Sequence, residues 1–426
     1  MSEVKARALN DVTKTRGPVL FALVAALLLA APALLSDFRL GLLAKYLCFA
    51  VVALGIGLAW GQGGMLTLGQ GVFFGLGGYS MAMYMKLHEA GPDKLPDFMV
   101  YNGRESLPWF WEPYHHAWFA IVSVVVLPAV VATGLGLLIF RQRVRGAYFA
   151  ILSQALAAAF VILLVGQQGA TGGTNGMTNF TEIFGHPLAD PKTKRALYFV
   201  VVAFLAVLFL AVRQLVRSRF GRLLVAIRDG EDRVRFLGYD PTVVKTAVFA
   251  VSATLAGIGG ALFVLVVGIM SPALLGVVPS IELVVAVAVG GRFTLAGAVF
   301  GAVLFNQAKT SFSEAYPSGW LYLQGAMFIL VMTLAPRGIA GLAGSQSTDL
   351  LRRTWETRPA VRPPRPLTPK ALEALAVAEG MSAAAALGFP PTAPLNGSVP
   401  PQGAETEPEA VPAGAHPQNG NGEAAT

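Results

Sequence analysis

Of the 426 residues, 54% are apolar and only 13% charged, and the mean hydropathy is +0.60. That is too little charge to coat a water-facing body of this size, so a soluble globular protein is excluded and an all-α polytopic membrane protein is expected. The formal charge of +8 sits in the N-terminus and between apolar runs, a distribution that orients a membrane protein and argues against a nucleic-acid partner.

The N-terminus, 1–17, has four basic and two acidic residues and is expected to be cytoplasmic. The first span, 18–35, is basic-flanked like a secretory signal but lacks a small-residue cleavage site before Ser36, so it is read as retained. Span 40–60 returns, and the glycine-dense 61–85 runs outward again. Loop 86–116 carries five acids against three bases, which suits the outer face. Span 117–140 ends at Arg141-Gln142-Arg143-Val144-Arg145, an inside signal. Spans 147–165, 196–214 and 246–268 follow, with a second outer loop at 166–196 in which Lys192, Lys194 and Arg195 run against the charge rule. The one cysteine, Cys48, lies within an apolar run, so no intramolecular disulfide can form.

Two apolar blocks remain, 281–306 and 320–336, and parity decides how they are used. The tail beyond Pro336 is rich in arginine and belongs inside, which requires 281–290 to dip inward, turn at Gly290-Gly291-Arg292, and climb back over 294–306. The fold expected is about eight transmembrane helices plus a re-entrant broken helix, spanning 18–340. Broken helices are tolerated at membrane depth only against protein or a water-filled path, so these segments are candidate pathway walls. GGMLTLGQGVFFG (63–75) and GGRFTLAGAVFG (290–301) share GGxxTL and a following Val-Phe, which suggests a parallel internal repeat. From 345 to 426 the composition turns to Pro, Ala and Gly, and a disordered cytoplasmic tail is expected.

Between two apolar runs stands SRFGRLLVAIRDGEDRVRFLGYDP (218–241). With Arg217 and Lys245 it holds seven basic residues and four acids, yet Leu223, Leu224, Ile227, Val234, Phe236 and Leu237 keep helical spacing. The pattern reads either as an amphipathic helix pair whose apolar side docks into a partner's groove or as a solvated positive-inside loop.

Chemistry that would make the chain an enzyme is missing. The sequence has no Gly-Lys dipeptide and therefore no GxxxxGK[ST] loop, and it has no His-x-x-His or Cys-x-x-Cys spacing. Ser153, Ser252 and Ser271 have no accompanying His and carboxylate, so packing and backbone hydrogen bonds explain them better than catalysis. No catalytic, metal or cofactor site is expected. What stands out is a thin set of polar groups at membrane depth: Thr67, Gln70 and Gln154, then Thr171, Thr174 and Asn175, then Glu282, Arg292, Thr294, Asn306 and Gln307. They form no ion cage and no carboxylate relay, and suit a small hydrogen-bonding solute.

The stretches 61–79, 145–156, 171–180, 218–262 and 271–302 together resemble the permease subunits of bacterial branched-chain amino acid ABC transporters and their urea and amide relatives. TGGTNGMTNF, the SIELVVAVAVGGR run and EAYPSGWLYLQGAMFILV are most similar to the urea permease. The resemblance implies a multi-pass subunit of the bacterial inner membrane with both termini cytoplasmic. It implies that a second homologous permease completes the channel, two ATPase subunits bind 217–245, and an extracytoplasmic binding protein delivers solute. The ATPase-coupling residues would be Arg219, Gly221, Arg222, Arg228, Asp229, Asp232, Arg233 and Gly238. The pathway residues would be Thr67, Gln70, Thr171, Asn175, Glu282, Gly291, Arg292 and Thr294. Asp232-Arg233-Val234 replaces the Glu-Ala-Ala of many importers, and the proline-rich tail is no part of the pattern. Urea or short amides are the expected solutes. The alternatives are a branched-chain or other amino acid and, in another class, a stand-alone channel or ion-coupled carrier.

Overall fold

A computed structural model of the chain describes residues 24–91, 94–144, 146–183, 185–188, 190–316, 319–334 and 338–340. The segment 1–17 and the tail 345–426 lie outside them. The fold is α-helical: α1 (Val24–Leu34), α2 (Asp37–Ile56), α3 (Gln70–Ala90), α4 (Asp97–Tyr101), α5 (Ala117–Arg141), α6 (Ala147–Gly166), α7 (Gln168–Thr171), α8 (Pro191–Arg217), α9 (Arg219–Phe236), α10 (Pro241–Val267), α11 (Val277–Gly290), α12 (Leu295–Ala315) and α13 (Trp320–Leu334). A two-residue antiparallel pair, β1 (Glu182–Ile183) with β2 (His186–Pro187), lies in the loop before α8. Six of the described helical stretches are long and apolar enough to cross a membrane, and α3 and α12 have the length, 21 residues each. The chain is therefore a polytopic helical membrane protein.

α10 is the central post, packing on α2, α3 and α5. Phe249 on α10 meets Phe73 edge-on at 5.3 Å and Phe149 at 5.4 Å, and Phe263 meets Phe49 and Phe74. Aromatic pairs in such geometry add to plain area burial. α3 approaches α10 so closely that a Cβ on Gly77 would overlap the Gly257 backbone, the small-residue contact that lets membrane helices pack without a hydrophobic driving force. α5, α6 and α8 turn Ile121, Val122, Val130, Ile151, Ile162 and Val207 outward, an apolar surface suited to lipid.

Two faces can be told apart by charge. Val144 and Gly146, beside the Arg141–Arg143 turn, share a cavity with Arg228 and Glu231 of α9, so the basic stretches gather on one face, the α9 face. On the far face the two acidic or polar loops meet: Lys86 Nζ donates to Asp97 (3.1 Å) and to the Asn179 carbonyl (3.2 Å), and Trp111 Nε1 donates to the Ala170 carbonyl (2.8 Å). Arg195, which breaks the charge rule, pairs with Asp37 at 3.3 Å.

Span 61–85 departs from expectation. α2 runs past its α-helical part into a π-helical turn, Gly57–Gln62, residues 63–69 are largely unwound, and helix resumes only at Gln70. Gly61 explains part of this, because a Cβ there would overlap the Arg292 carbonyl. The broken-helix block also differs in extent. α11 and α12 reach beyond 281–306 on both sides, and the turn falls at Gly291–Thr294, overlapping the expected Gly290-Gly291-Arg292 but one residue later at its start. That turn does not stop halfway: it lies beside Arg228 of α9. The two GGxxTL copies therefore sit together on one face, each opening a 21-residue helix that leaves it.

Candidate functional site: the α9 junction and the unwound helix starts

Ser218 ends α8 and caps α9, its Oγ accepting from Gly221 N at 3.3 Å. Gly230 leaves the helical region (φ −172°, ψ 74°) and divides α9 into two short helices, the pair expected from the sequence. Gly238, at φ +86°, ends the second, and Asp240 accepts from Thr242 N (2.8 Å) to start α10. The orientation of the apolar stripe is a correction. Leu224, Ile227 and Val234 are buried against the chain's own helices, not presented to a partner. α9 is joined to α8 by Ser218 alone and to α10 by the four residues 237–240, and these short tethers lay its apolar side on the bundle. Outward face Arg219, Arg222, Asp229, Asp232 and Arg233, together with Phe236 (91% exposed) and Leu237 (76%).

Arg228 points the other way. Its Nη1 donates to the Gly61 carbonyl (2.7 Å), its Nε to Asp229 (2.8 Å), and its guanidinium lies 5.7 Å from the Phe293 ring centre. Arg292 lies between Trp60 (4.8 Å) and Phe293 (4.7 Å). Burial, and next the charge of Arg228, lower the pKa of Arg292. Two arginines and two aromatic rings thus knit α9, the π turn of α2 and the α11–α12 turn together, each cation–ring contact being worth about 0.5–2 kcal/mol. Behind them Lys245 and Arg235 both donate to Glu231, at 2.6 and 3.2 Å.

The expected pathway residues fall in four places. Thr67 (0% exposed) and Gln70 (1%) lie at the unwound start of α3. Gln70 Nε2 donates to Ser252 Oγ of α10 at 3.0 Å, while Gln70 Oε1 and Thr67 Oγ1 are buried without a hydrogen-bond partner among the described residues. Gly291, Arg292 and Thr294 are on the α9 face. Thr294 is a helix cap, its Oγ1 accepting from Gly297 N at 3.1 Å. Glu282 is in neither group; it pairs with Lys309 of α12, with the charge of Lys45 of α2 nearby. Thr171 and Asn175 are toward the far face. Thr171 Oγ1 donates to the Leu164 and Gln167 carbonyls and closes α6, and Asn175 is exposed.

Sequence reasoning missed Lys45, Lys309, Trp60 and Phe293. Lysines inside apolar runs were the signal available for the first two, since a charge at membrane depth needs a partner. Ser153 makes the backbone hydrogen bonds expected of it: its Oγ accepts from Leu68 N (3.0 Å) and donates to the Ala150 carbonyl (2.8 Å), which holds the unwound segment to α6.

A helical bundle with interrupted helices, polar groups at their broken ends and a short interfacial helix defines a membrane permease. The family described as "Branched-chain amino acid transport system / permease component" matches residues 38–332, and the chain belongs to it. It is accordingly a membrane transport subunit and not an enzyme. The chain is 25% identical over 340 residues to the high-affinity branched-chain amino acid transport system permease protein LivM of Salmonella typhimurium strain LT2, covering 74% of this chain and 73% of that one. It is 26% identical over 349 residues to the LivM protein of Escherichia coli K12, covering 76% and 75%. No solved structure matches.

Proposed function

We propose that this chain is the membrane subunit of an ATP-driven importer for branched-chain amino acids, placed in the bacterial inner membrane with the α9 face inside. The reading is carried by the family match over 38–332 and by the names of the two relatives. Urea or short amides, the solutes expected from the sequence, draw support from the TGGTNGMTNF, SIELVVAVAVGGR and EAYPSGWLYLQGAMFILV runs and from the uncharged Thr67 and Gln70, and they are the competitors in the test. In this reading two ATPase subunits grip α9 through Arg219, Arg222, Asp229, Asp232, Arg233 and the Phe236–Leu237 knob. Gly221 and Gly238 shape the two ends of that helix, and Arg228 carries its movement to the α2 and α11–α12 turns. A second homologous permease lies alongside, and an extracytoplasmic binding protein docks on the far-face loops. Uptake of labelled leucine and labelled urea in a strain lacking the gene decides: loss of leucine uptake is expected, and loss of urea uptake with leucine unchanged overturns the solute assignment.

A further inference from the structure

We infer that the outward stripe of α12, made by Phe300, Leu304, Gln307, Ser311 and Glu314, is the seam on which a helix of a non-identical membrane partner docks; the inference rests on the importer reading above, in which that partner is the second permease. All five residues are exposed, and they follow one another at steps of four, three, four and three. That spacing keeps a stripe on one side of a helix and is the spacing of helix-to-helix seams.

Depth makes the stripe unfit for lipid. From the Thr294 cap on the α9 face, α12 rises about 9 Å to Phe300, about 20 Å to Gln307 and about 26 Å to Ser311, within a hydrocarbon core of roughly 30 Å. The Tyr46–Thr310 hydrogen bond (2.6 Å) ties this level to α2, whose far end at Asp37 lies about 13 Å beyond it. Gln307 Nε2 donates to Ser311 Oγ at 3.4 Å, which leaves the Gln307 side-chain oxygen without a donor among the described residues. On α5 and α8 the outward residues at such depth include Val125, Val130 and Val207, all apolar. A hydrogen-bonding pair in that setting calls for protein, not acyl chains.

The stripe also says what the partner carries. Opposite Phe300 and Leu304 it presents apolar side chains, and opposite Gln307 a hydroxyl or carboxamide that donates to the open oxygen. One polar level inside an otherwise apolar seam fixes register and partner choice. Glu314 decides between a second copy and a different chain. It ends the stripe about 30 Å above the cap, where the core gives way to water, and it makes no ion pair among the described residues. A second copy related by an axis along the bilayer normal would set Glu314 against Glu314 at one height, like against like. A partner with Lys or Arg at that height turns the same contact into an attraction, so the charge favours a different chain.

The test places the photo-reactive residue p-benzoylphenylalanine at Gln307 of the full chain in cells that make the whole importer, irradiates the membranes and identifies adducts by peptide mass. Gln307 is expected to yield an adduct with a second, homologous chain, and the same probe at Ile162 of α6, exposed about 22 Å along its own helix, none. Glu314→Lys is expected to cut the adduct several-fold at an unchanged amount of chain, and Glu314→Asp to keep it. Reaction at Gln307 with lipid alone, with another segment of the same chain or with a second copy overturns the assignment, and so does a homologous-chain adduct at Ile162 and not at Gln307. An adduct that Glu314→Lys leaves at parent yield overturns the charge pairing. Leucine uptake separates the two levels: intact uptake with any of these results leaves the importer reading standing, and absent uptake of leucine by the parent chain sinks that reading itself.

Discussion

Glu231 accepts from Lys245 at 2.6 Å and from Arg235 at 3.2 Å, so one carboxylate of α9 ties the first turns of α10 to the last turn of its own helix. Glu231→Ala takes that carboxylate from two cations in a half-buried place, and removing one member of such a group costs about 3 kcal/mol. Lys245→Met leaves Glu231 with Arg235 and costs less. Thermal unfolding of the detergent-purified chain is expected to rank Glu231→Ala below Lys245→Met, and Lys245→Met below the parent.

Phe236→Ala with Leu237→Ala removes two exposed side chains that contribute little to the folded chain. The double variant is expected to keep the parent melting temperature while pull-down of the ATPase subunits falls at least several-fold. Normal pull-down with lost stability would place these residues in the fold and not at a partner.

Arg292→Lys keeps the charge but loses the planar stacking between Trp60 and Phe293, worth about 1 kcal/mol. Uptake is expected to fall while the amount in the membrane is unchanged. Gly61→Ala is expected to be far worse, because the new Cβ meets the Arg292 carbonyl, a backbone atom that cannot swing aside. Protease resistance in membranes reads the difference.

Gln70→Leu removes the hydrogen bond to Ser252 and the buried free oxygen together, and is expected to cut uptake at unchanged expression. Ser153→Ala frees the Leu68 amide, a buried loss of about 1–3 kcal/mol, so it too is expected to reduce uptake, through a looser 63–69 segment.

Orientation is checked with single cysteines in a Cys48→Ala chain. Ser106→Cys and Asn175→Cys are expected to react with an impermeant maleimide on intact cells, and Phe236→Cys only after permeabilisation. External reaction at Phe236→Cys would invert the chain.

Much of this was legible in the sequence. Apolar runs located the spans, the basic stretches that now share the α9 face were visible as Arg141–Arg143 and 217–245, and parity together with Gly290-Gly291-Arg292 announced the turn between α11 and α12. Three things were not. Amphipathic spacing at 223–237 says that a face is buried but not by whom, and here the chain covers Leu224, Ile227 and Val234 itself. Glycine density in 61–69 is equally compatible with close helix packing and with an unwound strand, and the choice depends on Arg292, far along the chain. The Glu282–Lys309 pair joins two helices whose facing depends on where each begins, and α11 starts four residues before the expected arm.

The π-helical end of α2 has one more consequence. A π turn holds one residue more in each hydrogen-bonded ring than an α turn. Tightening Gly57–Gln62 to α would hand one residue to the 63–69 strand and swing Trp60 by about 100° around the helix axis, off Arg292. The extra residue held in Gly57–Gln62 therefore sets both the length of the 63–69 strand and the side of α2 on which Trp60 meets Arg292.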